Sequence, residues 1–107
     1  MSFQDLVAQL QSKMENVDAE KMKGVNAVFQ FDLSGDAGGV MHVKVVDGSA
    51  VLEASAHESP NIVISMSAED FASLLEGKLN PTSAFMAGKL KVKGDMSLAM
   101  KLQGLLG

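Results

Sequence analysis

The chain has 107 residues, enough for one compact domain and too few for a second. Hydrophobic residues make up 47% of it, so a core can form, but its only aromatics are five Phe and that core must be aliphatic and soft. Thirteen acids against nine lysines give a net charge of −4, and with no Arg, Trp, Tyr or Cys the chain offers no bidentate phosphate reader, no disulfide and no thiolate for catalysis or metal binding.

In the opening segment Phe3, Leu6, Val7, Leu10 and Met14 recur at helical spacing, with Gln4, Asp5, Gln9, Gln11 and Lys13 between them. This predicts an amphipathic helix over residues 2–15. A polar stretch from Glu15 to Lys23 then runs to Gly24, where the period changes. Val25, Ala27, Phe29, Phe31 and Leu33 occupy every second position of a half-buried strand. After the turn Ser34–Gly39, Met41, Val43 and Val45 alternate with His42 and Lys44 in a second strand. Asp47-Gly48 signals a tight hairpin into a third strand at Val51–Ala54.

Ile62–Met66 supplies a fourth strand, and Ser67 followed three residues on by Asp70 has the form of a capping box opening a helix over about 68–76. That helix should bury Phe71, Leu74 and Leu75. Asn80-Pro81 places a cap residue before proline at the first position of a short helix through Ala84, Phe85 and Met86, ending at Gly88. Lys89-Leu90-Lys91-Val92-Lys93 alternates as a fifth strand with Leu90 and Val92 inward. Asp95 can cap a last helix in which Leu98, Leu102 and Leu105 form one ridge and Met96, Met100 and Leu106 lie beside it. An apolar arc that wide has a second face to cover, and a dimer partner, a membrane surface or a ligand held between helix and sheet would each cover it.

Eight methionines are several times the usual share, and Met is the side chain used where packing must adapt, either to fill gaps or to let a cavity conform to varied apolar ligands. No charged-then-apolar leader opens the chain and no apolar run nears the roughly 18 residues of a membrane span, so a cytoplasmic location is expected. His42 on the polar side of a strand and His57 in a turn lack partners at metal or triad spacing and are expected to be solvated. Ser65 and Ser67 have no partnered base, and the acid pair Glu69 with Asp70 is most simply a helix start. The chain is therefore read as no enzyme, with no cofactor and no metal.

Taken in order, Asn26–Phe31, Ile64–Phe71, Gly77–Pro81, Ala84–Asp95 and Leu98–Leu102 resemble the sterol carrier protein-2 domain over almost the whole chain, most specifically from Gly77 to Leu102. The resemblance implies an α+β fold: a five-stranded, mostly antiparallel sheet covered on one face by about four helices, with an apolar tunnel between the layers. It also implies binding of fatty acids, fatty acyl-CoA, sterols or isoprenoids, and phospholipids, for carriage or for presentation to a lipid-metabolising enzyme. Many relatives have an aromatic residue near Met41, and peroxisomal members end in a targeting tripeptide that Leu105-Leu106-Gly107 does not match. A free-standing bacterial-type member serving acyl or isoprenoid ligands fits better.

On this reading the tunnel is walled by Phe29, Phe31, Met41, Val43, Ile64 and Met66 from strands, and by Phe71, Leu75, Phe85, Met86, Met96, Met100 and Leu102 from helices. Lys89, Lys91, Lys93 and Lys101 form either a basic rim for a head group or membrane, or a charged strand that discourages edge pairing. Expected partners are a lipid-like small molecule, a transient membrane contact, and a homodimer mate or partner enzyme; nucleic acid is not among them. The competing reading is a non-catalytic scaffold that docks to an enzyme, or to its own copy, through the apolar last helix.

Overall fold

The computed structural model describes residues 2–17, 20 and 23–106, with side chains as far as Lys101. Helix α1 (Phe3–Glu15) starts where Ser2 permits. Ser2 Oγ accepts from the Asp5 amide at 3.1 Å and the Asp5 carboxylate accepts from the Ser2 amide at 3.0 Å, so two otherwise unpaired donors are satisfied reciprocally. One turn apart, Leu6 and Leu10 are both fully buried.

Five strands follow the sequence alternation to within two residues: β1 (Asn26–Ser34), β2 (Gly39–Val46), β3 (Ser49–Glu53), β4 (Ile62–Ser67) and β5 (Leu90–Gly94). They form one sheet in the order β3-β2-β1-β4-β5, antiparallel except for the β1–β4 pair. The β2–β3 hairpin turns at Asp47 and Gly48, with φ of 42° and 89°. A two-residue turn that matches strand twist needs positive φ at both positions, which Asp-Gly tolerates.

Register places Phe31 between Met41 and Ile64, and Phe29 between Val43 and Ile62. Because side chains alternate, this row and its neighbours make one apolar face, covered by α1, α2 (Ala68–Leu75), α3 (Pro81–Met86) and α4 (Met96–Leu106). Ser67 Oγ caps α2 through the Asp70 amide at 3.1 Å, and Lys13 of α1 donates to the Leu75 carbonyl at its far end, at 3.2 Å. At Gly39 a Cβ would lie 2.7 Å from the Phe3 ring, so that ring would have to shift to admit a side chain.

The opposite face carries the polar residues, and one expectation fails on it. β3 lies at an edge and β4 lies beyond β1, so residues 54–61 must cross two strands. Their hydrogen bonds place them over the polar face: His42 Nδ1 donates to the Ser55 carbonyl at 2.7 Å, Gln30 Oε1 accepts from the His57 amide at 2.9 Å, and Asn61 Oδ1 accepts from the Val28 amide at 2.8 Å. His42 is thus 6% exposed and meets His57 edge-on at 5.1 Å, where a solvated ring was expected. Alternation tells which face a residue is on; it is silent about a distant loop that covers that face.

Among the described residues no helix is long and apolar enough to cross a membrane.

Candidate functional site

At the β4–β5 end of the layer the helices do not close on the sheet, and a cavity of about 250 Å³ remains. Its inner wall is Phe31, Ile64 and Leu90, all buried, with Val92 beside them from the edge strand. Leu74 closes it from the end of α2, Pro81 and Thr82 from the start of α3, and Ala99 from α4. Towards solvent the wall becomes Phe85, Met96 and Met100, which are 44%, 50% and 75% exposed, so the cavity opens between α3 and α4. Among the described residues the Thr82 hydroxyl is the one polar side-chain group on this lining.

The gap follows from how these two helices are held. Asn80 Oδ1 accepts from the amides of Thr82 and Ser83 at 2.8 and 3.2 Å, and Pro81 sits where its missing amide costs nothing. After six residues α3 ends at Ala87 and Gly88, the latter at φ 77°, and only Ala84 is buried. A methyl group lets the helix approach the core closely at one point while its flanks stand off. At the other side, Gly94 (φ 118°) passes so near the Asn61 carbonyl that a Cβ would lie 2.5 Å from its oxygen. The chain then turns into α4 at Asp95, whose carboxylate accepts from the Ser97 amide at 2.9 Å and the Ser97 hydroxyl at 2.6 Å. The Ser97 hydroxyl bond, with the Ser97 and Leu98 amides and Lys101 adding to it, lowers the Asp95 pKa below its ordinary value. Among its described side chains α4 buries Leu98 and half-buries Ala99.

Of the residues expected to wall a tunnel, Phe31, Ile64, Phe85, Met96 and Met100 line this cavity. Phe29, Met41, Val43, Met66, Phe71 and Leu75 do not; they are buried in the packed core, with Phe71 stacked behind Phe31 at 5.3 Å between ring centroids. Met86 stands outside the lining and is 81% exposed. The Leu102 side chain lies outside the described residues. Lys91 and Lys93 pair with Ser65 and Val63 on the sheet face away from the helices, so the strand's own alternation removes them from a rim that Leu90 and Val92 help to form. Lys89 and Lys101, next in sequence to lining residues Leu90 and Met100, are exposed. Leu90 and Val92 could have been named as lining from the sequence, since strand parity aligns them with Met66 and Ile64. No sequence signal distinguishes Leu74, Pro81, Thr82 or Ala99 from ordinary helix packing.

Glu69 and Asp70 sit in the first turn of α2, and among the described residues no group of three or more acids and histidines could hold a metal ion. The sequence model of the SCP-2 sterol transfer family matches residues 5–107. The chain belongs to that family.

SCP-2 domains bind or transfer lipid and are generally non-catalytic modules. Among solved structures, the sterol carrier protein domain 2 of Helicoverpa armigera is 32% identical, with a TM-score of 0.76 over 94% of this chain and 81% of that one. The apo sterol carrier protein 2 of Yarrowia lipolytica is 31% identical, with a TM-score of 0.64 over 97% and 85%. Hydroxysteroid dehydrogenase-like protein 2 of Bos taurus is 40% identical over 93 residues, which are 86% of this chain and 22% of that protein. The chain thus spans about a fifth of the length of the curated relatives it matches. The fold also occurs within an enzyme, the sec-alkylsulfatase Pisa1 of a Pseudomonas species (18% identity, TM-score 0.72), where it covers 84% of this chain and 14% of that one.

Proposed function

We propose that this SCP-2 domain holds one aliphatic chain of a lipid in the cavity, leaves the polar head at the opening between α3 and α4, and carries or presents that lipid to other proteins. The observation that carries this is an open-sided, almost wholly apolar space of about 250 Å³ in a family of lipid-binding domains. At the roughly 30 Å³ that a water occupies in the liquid, and a similar volume for a methylene, it encloses about eight methylenes.

Eight methylenes at ~0.8 kcal/mol give about 6 kcal/mol of gross driving force. Association costs of several kcal/mol absorb much of that, so a chain short enough to be fully enclosed binds weakly. A longer chain that also covers the exposed faces of Phe85, Met96 and Met100 reaches the micromolar range, near −8 kcal/mol. Fatty acids and their coenzyme A thioesters of about 12 to 18 carbons meet this requirement, as do isoprenoid and phospholipid chains.

Presentation to an enzyme draws support from the curated relatives, in which the matching segment is a minor part of a much longer protein. The deciding experiment is thermal melting of delipidated protein with saturating fatty acids from C8 to C18. The midpoint should rise by several degrees, with little effect at C8 and a growing one to about C16. No shift with fatty acids, acyl-CoA, isoprenoids or phospholipids would overturn lipid carriage.

A further inference from the structure

We infer, resting on the reading of the cavity as a lipid site, that Met96 and Met100 form a modification site for hydroperoxides and that their conversion to sulfoxides closes the cavity to apolar chains. Oxidation is then a reversible block on loading.

The chain has no Cys, Trp or Tyr, so its methionine thioethers are the side chains that a peroxide oxidises most readily. Burial sorts them. Among the described residues Met41 and Met66 are 0% and 5% exposed and Met14 is half-buried, while Met86, Met96 and Met100 are 81%, 50% and 75% exposed. The accessible sulfur is thus gathered at the hollow end, on α3 and α4, and Met96 and Met100 belong to the cavity lining. They stand four residues apart on α4, so their side chains are neighbours on one helical face and border the same opening. Met86 is more exposed than either but lies outside the lining, which makes it an internal control.

A sulfur lone pair attacks the distal oxygen of the hydroperoxide. A sulfur–oxygen bond forms and the oxygen–oxygen bond breaks; the departing oxygen takes up the proton of the transferred one and leaves as an alcohol, or as water when the oxidant is hydrogen peroxide. The sulfur loses two electrons and the peroxide gains them. What changes for the site is polarity, because a sulfoxide oxygen is a strong hydrogen-bond acceptor where an apolar thioether stood. In the empty cavity that oxygen faces water at the opening. Under a bound acyl chain it is covered, and among the described residues the lining has no side-chain donor except the Thr82 hydroxyl. Covering an acceptor without giving it a partner is costly, so oxidation penalises the loaded state and spares the fold. The same contact works in reverse: a chain lying over the two sulfurs shields them from peroxide. Exposure of both residues also leaves the sulfoxides within reach of a methionine sulfoxide reductase, which regenerates the thioether and releases water while a dithiol is oxidised to a disulfide.

The test treats delipidated protein with hydrogen peroxide, follows each methionine by peptide mass spectrometry and titrates a fluorescent fatty acid that stays monomeric in water. Met86, Met96 and Met100 should be converted well before Met41 and Met66. Affinity should fall by about tenfold or more as Met96 and Met100 react, with the melting midpoint moved by no more than about 2 °C. Dithiothreitol with reductases for both sulfoxide epimers should restore it. Saturating palmitate should slow the reaction of Met96 and Met100 several-fold and leave that of Met86 unchanged. Two variants locate the effect. Met86→Leu should lose affinity on oxidation as the wild type does, whereas the double variant Met96→Leu with Met100→Leu should bind equally before and after peroxide, each protein being measured against its own untreated form. Full affinity after both lining methionines are converted, an equal loss in the double variant, or a loss that tracks Met86, Met41 or Met66 would overturn the inference. Lack of binding by the untreated protein would overturn it together with the lipid site, which separates the two failures.

Discussion

The two ends of the layer between helices and sheet use the same kinds of side chain and reach opposite results. Under α1 and α2, thirteen and eight residues long, Leu6, Leu10, Phe29, Met41 and Phe71 are essentially without exposure. Under α3 and α4 the strand residues Phe31, Ile64 and Leu90 are also buried, but the helices above them stand off, and among their described side chains only Ala84 and Leu98 are buried. Among the described side chains, hollowness here goes with helices that meet the sheet at few points, one of them a bare methyl, and not with a change in composition. An enclosed, rigid void of 250 Å³ would cost about 6 kcal/mol at 24 cal/mol per Å³, a large share of the 5–15 kcal/mol that folded domains possess. An open side lowers that figure, and the packed end must offset what is left. On the proposed function, stability and lipid binding fall to different ends of one sheet.

The strongest challenge to this division is truncation at the packed end. Leu10→Ala removes a fully buried side chain where the surrounding core limits collapse, and should destabilise the fold by about 3 kcal/mol, lowering the melting midpoint by roughly 15 °C. Met100→Ala at the open end should move it by no more than about 2 °C, because a residue 75% exposed leaves little cavity behind. Equal losses in the two variants, measured by calorimetry without lipid, would erase the distinction.

The reciprocal challenge concerns binding. Met100→Lys places a charge on the cavity wall near its opening, and should weaken fatty-acid affinity at least tenfold, about 1.4 kcal/mol, while the ammonium finds water and the fold is kept. Titration of a fluorescent fatty acid, with melting as the control, checks it. Unchanged affinity would mean that α4 does not border the bound chain.

The division itself was only half legible in the sequence. Alternation in Phe29–Leu33, Met41–Val45 and Ile62–Met66 is enough to put those side chains on one face, and Asp47-Gly48, Ser67 and Asn80-Pro81 mark the turns and helix starts through local chemistry. Nothing local separates Phe31, which lines the cavity, from Phe29 two residues earlier, which does not. Core and cavity wall make the same demand on a side chain, and the difference lies in which helix arrives overhead. Lys91 and Lys93 carry the converse lesson, since their alternation with Leu90 and Val92 already excluded them from the cavity side. His42 shows the limit of parity from the other direction, because its cover is a loop twelve or more residues further on, from residue 54.

The smallest expected effect tests how α4 is held over the opening. Asp95 accepts two bonds from Ser97, and its pKa is lowered first by the Ser97 hydroxyl and then by the amides, with a lesser contribution from Lys101. A carboxylate whose folded pKa lies below its unfolded value stabilises the fold above the unfolded pKa, and that contribution fades as pH falls through the folded one. The first turn of α4 should therefore stay fixed down through the ordinary carboxylate range and loosen only below it. The Ser97 amide resonance, followed by NMR from neutral pH downwards, should titrate below pH 3.8, the ordinary value for Asp. Because Asp95 is fully exposed, the accompanying change in melting midpoint should be slight. Asp95→Asn keeps an acceptor for the Ser97 amide and removes the charge, so it should abolish the Ser97 titration while fatty-acid binding at neutral pH falls by less than about threefold. A midpoint at or above the ordinary Asp value would show that the Ser97 contacts do not hold the carboxylate, and the start of the helix over the hollow end would then lack the anchor assigned to it.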